Sequence, residues 1–347
     1  MNHEHGGDIY GRDILYDFSA NLNPFGMPES VIKAACAAVP ESDKYPDPYC
    51  RELTGRLSEH ENVSAGNIVC GNGADDLIYR IIHALEPKRA VVAVPTFSEY
   101  AKALSEVGCK ITEHRLEESA DFALDESILQ RLTDDTDILI LCSPNNPTGR
   151  LIDGHLTRIL CGVCRDKGIV FVCDECFLEL TEFGSQGSAG KFMNGNVVIL
   201  KAFTKTYAMA GLRLGYALFG SAELAERVRR SGQFWSVSAP AQAAGIAALG
   251  EREYVGRARK LIPAERAYLS EMLEKYGFKV YPSDADFILF RCGLPLDELL
   301  LNEGILIRSC GNYSGLGDGY FRIAVRLREE NEKLVGAIEK VMKWQKA

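Results

Sequence analysis

From about residue 67 the chain repeats one theme: a short apolar run, a turn, an amphipathic stretch, another apolar run. The runs are NIVC (67–70), AVVAV (90–94), KITEHRL (110–116), DILILC (137–142), GIVFVC (168–173), NVVILKAF (196–203) and LRLGYALF (212–219). Most are unbroken in Val, Ile and Leu rather than alternating, the pattern of strands covered on both faces. The segments ADDLIYRIIHAL, FSEYAKALSEVG and DGHLTRILCGVCRDKG lie between several of them with helical character. Such units predict an α/β fold, with a mostly parallel seven-stranded sheet sandwiched by helices. Beyond residue 220 helical segments come first (SAELAERVRRS, SAPAQAAGIAAL, EYVGRARKLIPAERAYLSEMLEKYG). Shorter strands follow (KVYP, DFILFRC, ILIRSC, YFRIAVR), then a last helix, ENEKLVGAIEKVMKWQ. That change of rhythm predicts a smaller α/β domain. The expected division is 1–44 as an N-terminal arm and part of the small domain, 45–250 as the large domain and 251–347 as the C-terminal small domain.

A chain of 347 residues, 46% hydrophobic and 25% charged, has the material for this. Its net charge of −9 argues against nucleic acid or an anionic membrane as partner. The apolar runs fall short of the roughly 20 residues of a membrane helix. The first residues, MNHEHGGDIYGRDILYDFSANLNP, show neither a basic segment nor an apolar one of the secretory kind. With an odd count of eleven cysteines, this predicts free thiols in a reducing cytoplasm. Cys161, Cys164, Cys173 and Cys176 form CxxC…CxxC, but the first pair falls in a helical stretch and the second flanks a strand end. Residues three apart on a strand point to opposite faces, so no metal site is expected there. His3 and His5 are read as solvated rather than metal-binding.

Nucleotide motifs fail. GNGADD (71–76) follows a strand and opens a helix, but Asp76 stands where G-x-G-x-x-G needs its third glycine. Taken alone it is a plain turn, though free N–H groups at a helix start can hold an anion. SPNNPTG (143–149) follows DILILC, and its Asn146 would sit at the strand's carboxyl end, where ligands of α/β sheets bind. VFVCDE puts Asp174 at the end of an apolar strand, a costly place for a carboxylate unless it meets a cation. LKAFTKTYAMAGLRLGY (200–216) supplies Lys205 and Arg213 among small and apolar neighbours. Each has a bland reading singly: a turn asparagine, a buried salt bridge, a surface lysine.

Together, in the order GNGAD, PTF, NNPTG, the strand Asp, T-K and G-L-R-L-G, these segments resemble the pyridoxal-phosphate-dependent aminotransferase superfamily of fold type I, over nearly the whole chain. The resemblance implies that Lys205 forms an imine with the aldehyde of pyridoxal 5'-phosphate. Burial of such an amine favours its neutral, nucleophilic form. It implies that Arg213, Thr204 and the backbone N–H groups around Gly73, Ala74 and Asp75 hold the cofactor phosphate. Asp174 would pair with the pyridine nitrogen, Asn146 would donate to the ring's phenolate oxygen, and Phe97 would stack on the ring. Tyr45, in KYPDPY, would reach the phosphate in a neighbouring subunit, which implies a homodimer. Lys201 is the rival imine lysine, but lacks a preceding threonine and the offset to GLRLG. Two positions depart from the family pattern: Ala202 stands where a phosphate-binding Ser or Thr is frequent, and Phe177 where a tyrosine often reaches the phenolate.

Within the superfamily, HGG (5–7), DFSANLNPFGMP (17–28), YPDPY (45–49), ILIRSCGNYSGL (305–316) and YFRIAVR (320–326) resemble threonine-phosphate decarboxylases of cobalamin biosynthesis more closely than histidinol-phosphate aminotransferases. Both groups act on small phosphorylated amino compounds. The resemblance implies Arg322 for the substrate carboxylate, with His5, Asn21, Asn146 and Arg308 available for the phosphate and for orientation. Decarboxylation of L-threonine O-3-phosphate is the expected reaction, with histidinol-phosphate transamination as the alternative.

Overall fold

The computed structural model describes residues 5–344; the expectation about His3 lies outside them. The strands are β1 (Tyr16–Asp17), β2 (Ile68–Gly71), β3 (Arg89–Val94), β4 (Lys110–Arg115), β5 (Ile138–Cys142), β6 (Val170–Asp174), β7 (Val197–Ala202), β8 (Gly215–Phe219), β9 (Lys279–Val280), β10 (Phe287–Arg291), β11 (Ile305–Leu306), β12 (Arg308–Ser309) and β13 (Tyr320–Ala324). The helices are α1 (Glu29–Ala38), α2 (Arg51–Glu61), α3 (Gly73–Leu85), α4 (Glu99–Glu106), α5 (Gly154–Lys167), α6 (Phe203–Thr206), α7 (Ala222–Arg230), α8 (Ala239–Ala248), α9 (Arg252–Lys275), α10 (Leu296–Leu301) and α11 (Arg328–Trp344).

The apolar runs become a seven-stranded sheet of order β2-β8-β7-β6-β5-β3-β4. Neighbours from β4 to β7 are parallel, whereas β8 runs antiparallel to both β7 and β2. Both faces are covered. One is packed on by Leu156 and Leu160 of α5, the other by Leu77 and Ile81 of α3 and Tyr100 of α4, all essentially buried. That double burial is why the runs are continuous rather than alternating. Local chemistry sets the helix ends. Asp153 caps α5 by accepting from the His155 and Leu156 amides, and Gly168 ends it in the left-handed conformation. At α3, Asp76 accepts from the Asn72 amide at 2.8 Å and pairs with Arg80. The residue that spoils the nucleotide motif therefore ties down this turn.

A second core gathers α9, α10 and α11 against a four-stranded sheet of order β12-β13-β10-β9. The segment ILIRSC, expected as one strand, is two. β11 pairs in parallel with β1, and after Ile307 the chain crosses to pair β12 with β13. LRLGYALF also begins later than expected. Residues 210–212 form a single 3-10 turn and Arg213 takes a left-handed backbone (φ 57°) before β8 opens at Gly215. Residues 18–23 run between the two cores. The Phe18 carbonyl accepts from Ala324 N, and the amide of Asn23 donates to the Lys205 carbonyl at 3.0 Å.

Candidate active site

The carboxyl ends of the parallel strands converge on one cavity of about 140 Å³. Strand β6 delivers Asp174 to it, the loop after β5 delivers Asn146, the turn after β7 delivers Thr204 and Lys205, and the segment after β3 delivers Phe97. The start of α3 adds Ala74 and Asp75, and Arg213 closes the side where β8 begins. Gly73 belongs to the same wall. It has φ +87°, and a Cβ there would lie 2.7 Å from Arg213 Nη2. Only glycine lets the guanidinium lie against this turn.

At Asp174 the Tyr100 hydroxyl donates to Oδ2 at 2.6 Å and the Cys176 amide to Oδ1 at 2.9 Å. Two donors keep a carboxylate tolerable at 5% exposure while leaving its outer face to the cavity. Lys205 places Nζ 5.4 Å from the centre of the Phe177 ring. Burial pushes the lysine pKa down, and the nearby Arg322 guanidinium adds to that. Lys201 sits elsewhere. It is buried against Glu61 at 3.0 Å and Glu179 at 3.3 Å, and those carboxylates push its pKa up despite burial.

The remaining candidates divide. Arg322, 5% exposed, donates through Nη1 to Asn146 Oδ1 and through Nη2 to the Ser19 carbonyl at 2.7 Å. Arg308 is equally buried, donating to the Ser309 carbonyl and to Asn312 Oδ1 at 2.8 Å, with its guanidinium 5.4 Å from the Tyr313 ring. The two arginines are directly paired across β12 and β13. Like charges facing one another on a sheet are unfavourable. His5 contacts Glu99 Oε1 at 2.9 Å and lies 5.7 Å from the Phe97 ring, and together with Arg308 it lines a neighbouring open cavity. Asn21 is buried, its Oδ1 without a hydrogen-bond partner among the described residues. Tyr45 is not brought into the site of its own chain. It is 78% exposed and stacks on Trp235 at 4.4 Å. Four residues of this region were not read from the sequence: Tyr100, Ser19, Tyr313 and Asp286. Tyr100 lies in the first turn of α4, just past Phe97; Asp286 directly precedes an apolar strand, whereas Asp174 ends one.

Comparison with known proteins follows this geometry. The model of the family "Aminotransferase class I and II" matches residues 13–338. The chain belongs to that family. It is 36% identical to the threonine-phosphate decarboxylase of Salmonella typhimurium, over 99% of this chain and 97% of that protein. It is 35% identical to the histidinol-phosphate aminotransferase of Methanosarcina mazei, over 94% and 88%. The crystal structure of the histidinol-phosphate aminotransferase from Clostridium acetobutylicum superposes with a TM-score of 0.88 at 28% identity, covering 95% of this chain and 99% of that one. The chain is thus a pyridoxal-phosphate enzyme of fold type I. Its residues fit that cofactor. The Thr204 hydroxyl is buried without a hydrogen-bond partner, facing the same cavity as the free amides at the start of α3 and the Arg213 guanidinium. A phosphate would meet all three.

Proposed function

We propose that this enzyme decarboxylates L-threonine O-3-phosphate to (R)-1-amino-2-propanol O-2-phosphate, a step of cobalamin biosynthesis. The observation that carries the reading is the pairing of two buried arginines, Arg308 and Arg322, across β12 and β13, with Arg322 hydrogen-bonded to Asn146 of the cavity and Arg308 lining the neighbouring one. Two buried arginines on adjacent strands suit a substrate with two anionic groups, here a carboxylate and a phosphate ester. The full-length likeness to a threonine-phosphate decarboxylase supports the same choice.

In this reading Lys205 carries the cofactor, and Asp174 keeps the ring nitrogen protonated. Thr204, Arg213 and the amides of Gly73, Ala74 and Asp75 hold its phosphate. Asn146 would hold the phenolate oxygen and Phe97 would pack on the ring, both lining the cavity. The cofactor, once bound, supplies an electron sink. Arg322 would hold the substrate carboxylate and so set how the substrate is oriented in the site. Arg308, His5 and Asn21 take the phosphate. Phe177, lacking a hydroxyl, leaves the phenolate to Asn146. Residues 45–250 serve as the cofactor-holding domain, and 1–44 with 251–347 as the smaller one that brings the arginines. The working form is a cytoplasmic homodimer, with exposed Tyr45 reaching the neighbouring phosphate.

The test is product analysis of the purified enzyme. Release of carbon dioxide from threonine phosphate without any keto acid is expected. Amino transfer between histidinol phosphate and 2-oxoglutarate, with no carbon dioxide, would establish the other reading, to which the Methanosarcina relative lends its 35% identity.

A further inference from the structure

The short stretch from Phe97 to Tyr100 does three separate things at the active site. Phe97 lines the cavity, Tyr100 donates to Asp174, and Glu99, the first residue of α4, meets the N-terminal arm. Glu99 is buried, and burying a carboxylate is costly unless its oxygens find donors. Its Oε1 accepts from His5 Nε2 at 2.9 Å and its Oε2 from the Tyr79 hydroxyl at 2.8 Å, with Lys102 Nζ 3.5 Å away. The His5 side chain is 45% exposed and that of Glu99 only 7%, so the ring stands at a rim on a buried anchor. From there it shares with Ser19 and Arg308 the open cavity of about 640 Å³, and lies 5.7 Å from the Phe97 ring. The two glycines that follow seat the arm. The Gly7 amide donates to Ser19 Oγ at 2.7 Å, and a Cβ on Gly6 would lie 2.1 Å from the Ser19 carbonyl oxygen. That carbonyl also accepts from Arg322. The motif HGG is therefore a seat: glycines that lie close against the strap holding Arg322, and a histidine clamped by α4.

We propose that Glu99 is a positioning residue for the substrate phosphate: it fixes the His5 ring at the rim so that the other ring nitrogen meets the phosphate ester. This rests on the reading of His5 as a phosphate-binding residue, and it holds for either phosphorylated substrate. An imidazole with one nitrogen bonded to a carboxylate has a set orientation and one nitrogen left for a ligand. In the imidazolium both nitrogens donate, so the ring bridges two anions, Glu99 behind it and the phosphate in front. Without the carboxylate the ring would be free to turn, and the cost of ordering it would fall on substrate binding. The effect of Glu99 belongs to the phosphate and not to the carboxylate, which Arg322 takes.

The test compares cofactor-loaded wild type with Glu99→Gln, His5→Asn and the double variant. Glu99→Gln should raise the KM for L-threonine O-3-phosphate about tenfold, with kcat changing far less, because the charge-assisted bond that orients the ring is weakened. The Kd of L-threonine, which has the carboxylate but no phosphate, is read from the change in visible absorption and should not move. His5→Asn should raise the same KM at least as much, and the double variant should be no worse than His5→Asn alone, as expected when one residue acts through another. Equal weakening of both ligands by Glu99→Gln would mean a merely structural role and overturn the proposal. A higher KM in His5→Asn with none in Glu99→Gln would leave the phosphate to His5 and overturn the part given to Glu99. No change in either variant would overturn the proposal together with the reading of His5. If the enzyme turns over only histidinol phosphate, the same comparison is made with that ester against histidinol, so the decarboxylase reading can fail without deciding this one. Should Glu99→Gln not fold, Glu99→Asp takes its place, keeping the charge but withdrawing it by one methylene; an unchanged KM there overturns the proposal as well.

Discussion

Lys201 and Lys205 stand one helical turn apart in sequence on either side of the end of β7, and the fold treats them in opposite ways. Lys201 is the penultimate residue of β7 and reaches Glu61 and Glu179, the latter also paired with Arg259. Its charge is balanced in place and its pKa is raised. Lys205 lies in the short helix that follows, among cations and aromatic carbon, with its pKa lowered. Burial is common to both. Only the surrounding charge differs, and it holds one amine as a cation while the other is pushed toward its neutral form. Identity of residue and depth of burial therefore say little about reactivity; the sign of the nearest charge decides.

The largest effect should come from exchanging the roles of the two. Lys205→Ala should abolish both borohydride-trappable cofactor and turnover. Lys201→Ala should keep the trapped label on Lys205 but lose about 3–5 kcal/mol of stability in denaturant melts, because it strands Glu61 and Glu179. A label that moves to Lys201, or vanishes with it, would break the comparison. Next, Arg322→Ala should lower kcat/KM about a hundredfold or more, since a buried cation paired with a substrate anion is worth roughly 2–5 kcal/mol. Both constants should worsen, because the residue binds and orients; wild-type values would remove Arg322 from the carboxylate. A smaller change is expected of Thr204→Val. Loss of one hydrogen bond of about 1 kcal/mol should weaken cofactor retention roughly fivefold in a resolution assay without moving the Lys205 absorption.

The smallest effect concerns pH. Glu175, buried behind the Lys201 cluster, has its pKa raised to about 7, mainly by burial. A raised carboxyl stabilises the fold fully below its ordinary value of 4.5, and that contribution is lost as pH climbs through about 7. Wild-type stability should therefore fall across this window by on the order of 1–3 kcal/mol, and Glu175→Gln should flatten most of the fall. Asp286, shifted in the same direction, accounts for the slope that stays. An equally steep decline in the variant would show that Glu175 pairs more fully with Lys201 than its unpartnered Oε2 indicates.

How much of this was legible depended on range. The apolar runs, the alternation with helices and the position of Asp174 and Lys205 at strand ends follow from local periodicity, and the structure keeps them. What failed to show was whatever crosses between distant segments. Tyr100 reaches Asp174 only because α4 packs under the sheet, so this donor could not be read from the segment that carries the carboxylate. The opposition of Arg308 and Arg322 is a matter of register between β12 and β13, and register is invisible until the strands are paired. The switch of sheets at Ile307 was hidden for the same reason: ILIRSC reads as one strand because its hydrophobicity does not break where its partner changes. Asp286 was overlooked because it precedes an apolar run, whereas Asp174 ends one.

The strand at Tyr16–Asp17 pairs with Ile305–Leu306, and the carbonyl of Phe18 is taken by Ala324. On a ribosome these early residues emerge long before their partners exist, while the seven-stranded sheet can already assemble behind them. The Asn23 contacts to the backbone of Lys205 and Thr206 are then made by a segment still anchored at only one end. Such far-separated pairing is slow to form. The nascent chain should consequently grip its cofactor before it can discriminate among amino acids, and selectivity would be the last property the molecule acquires.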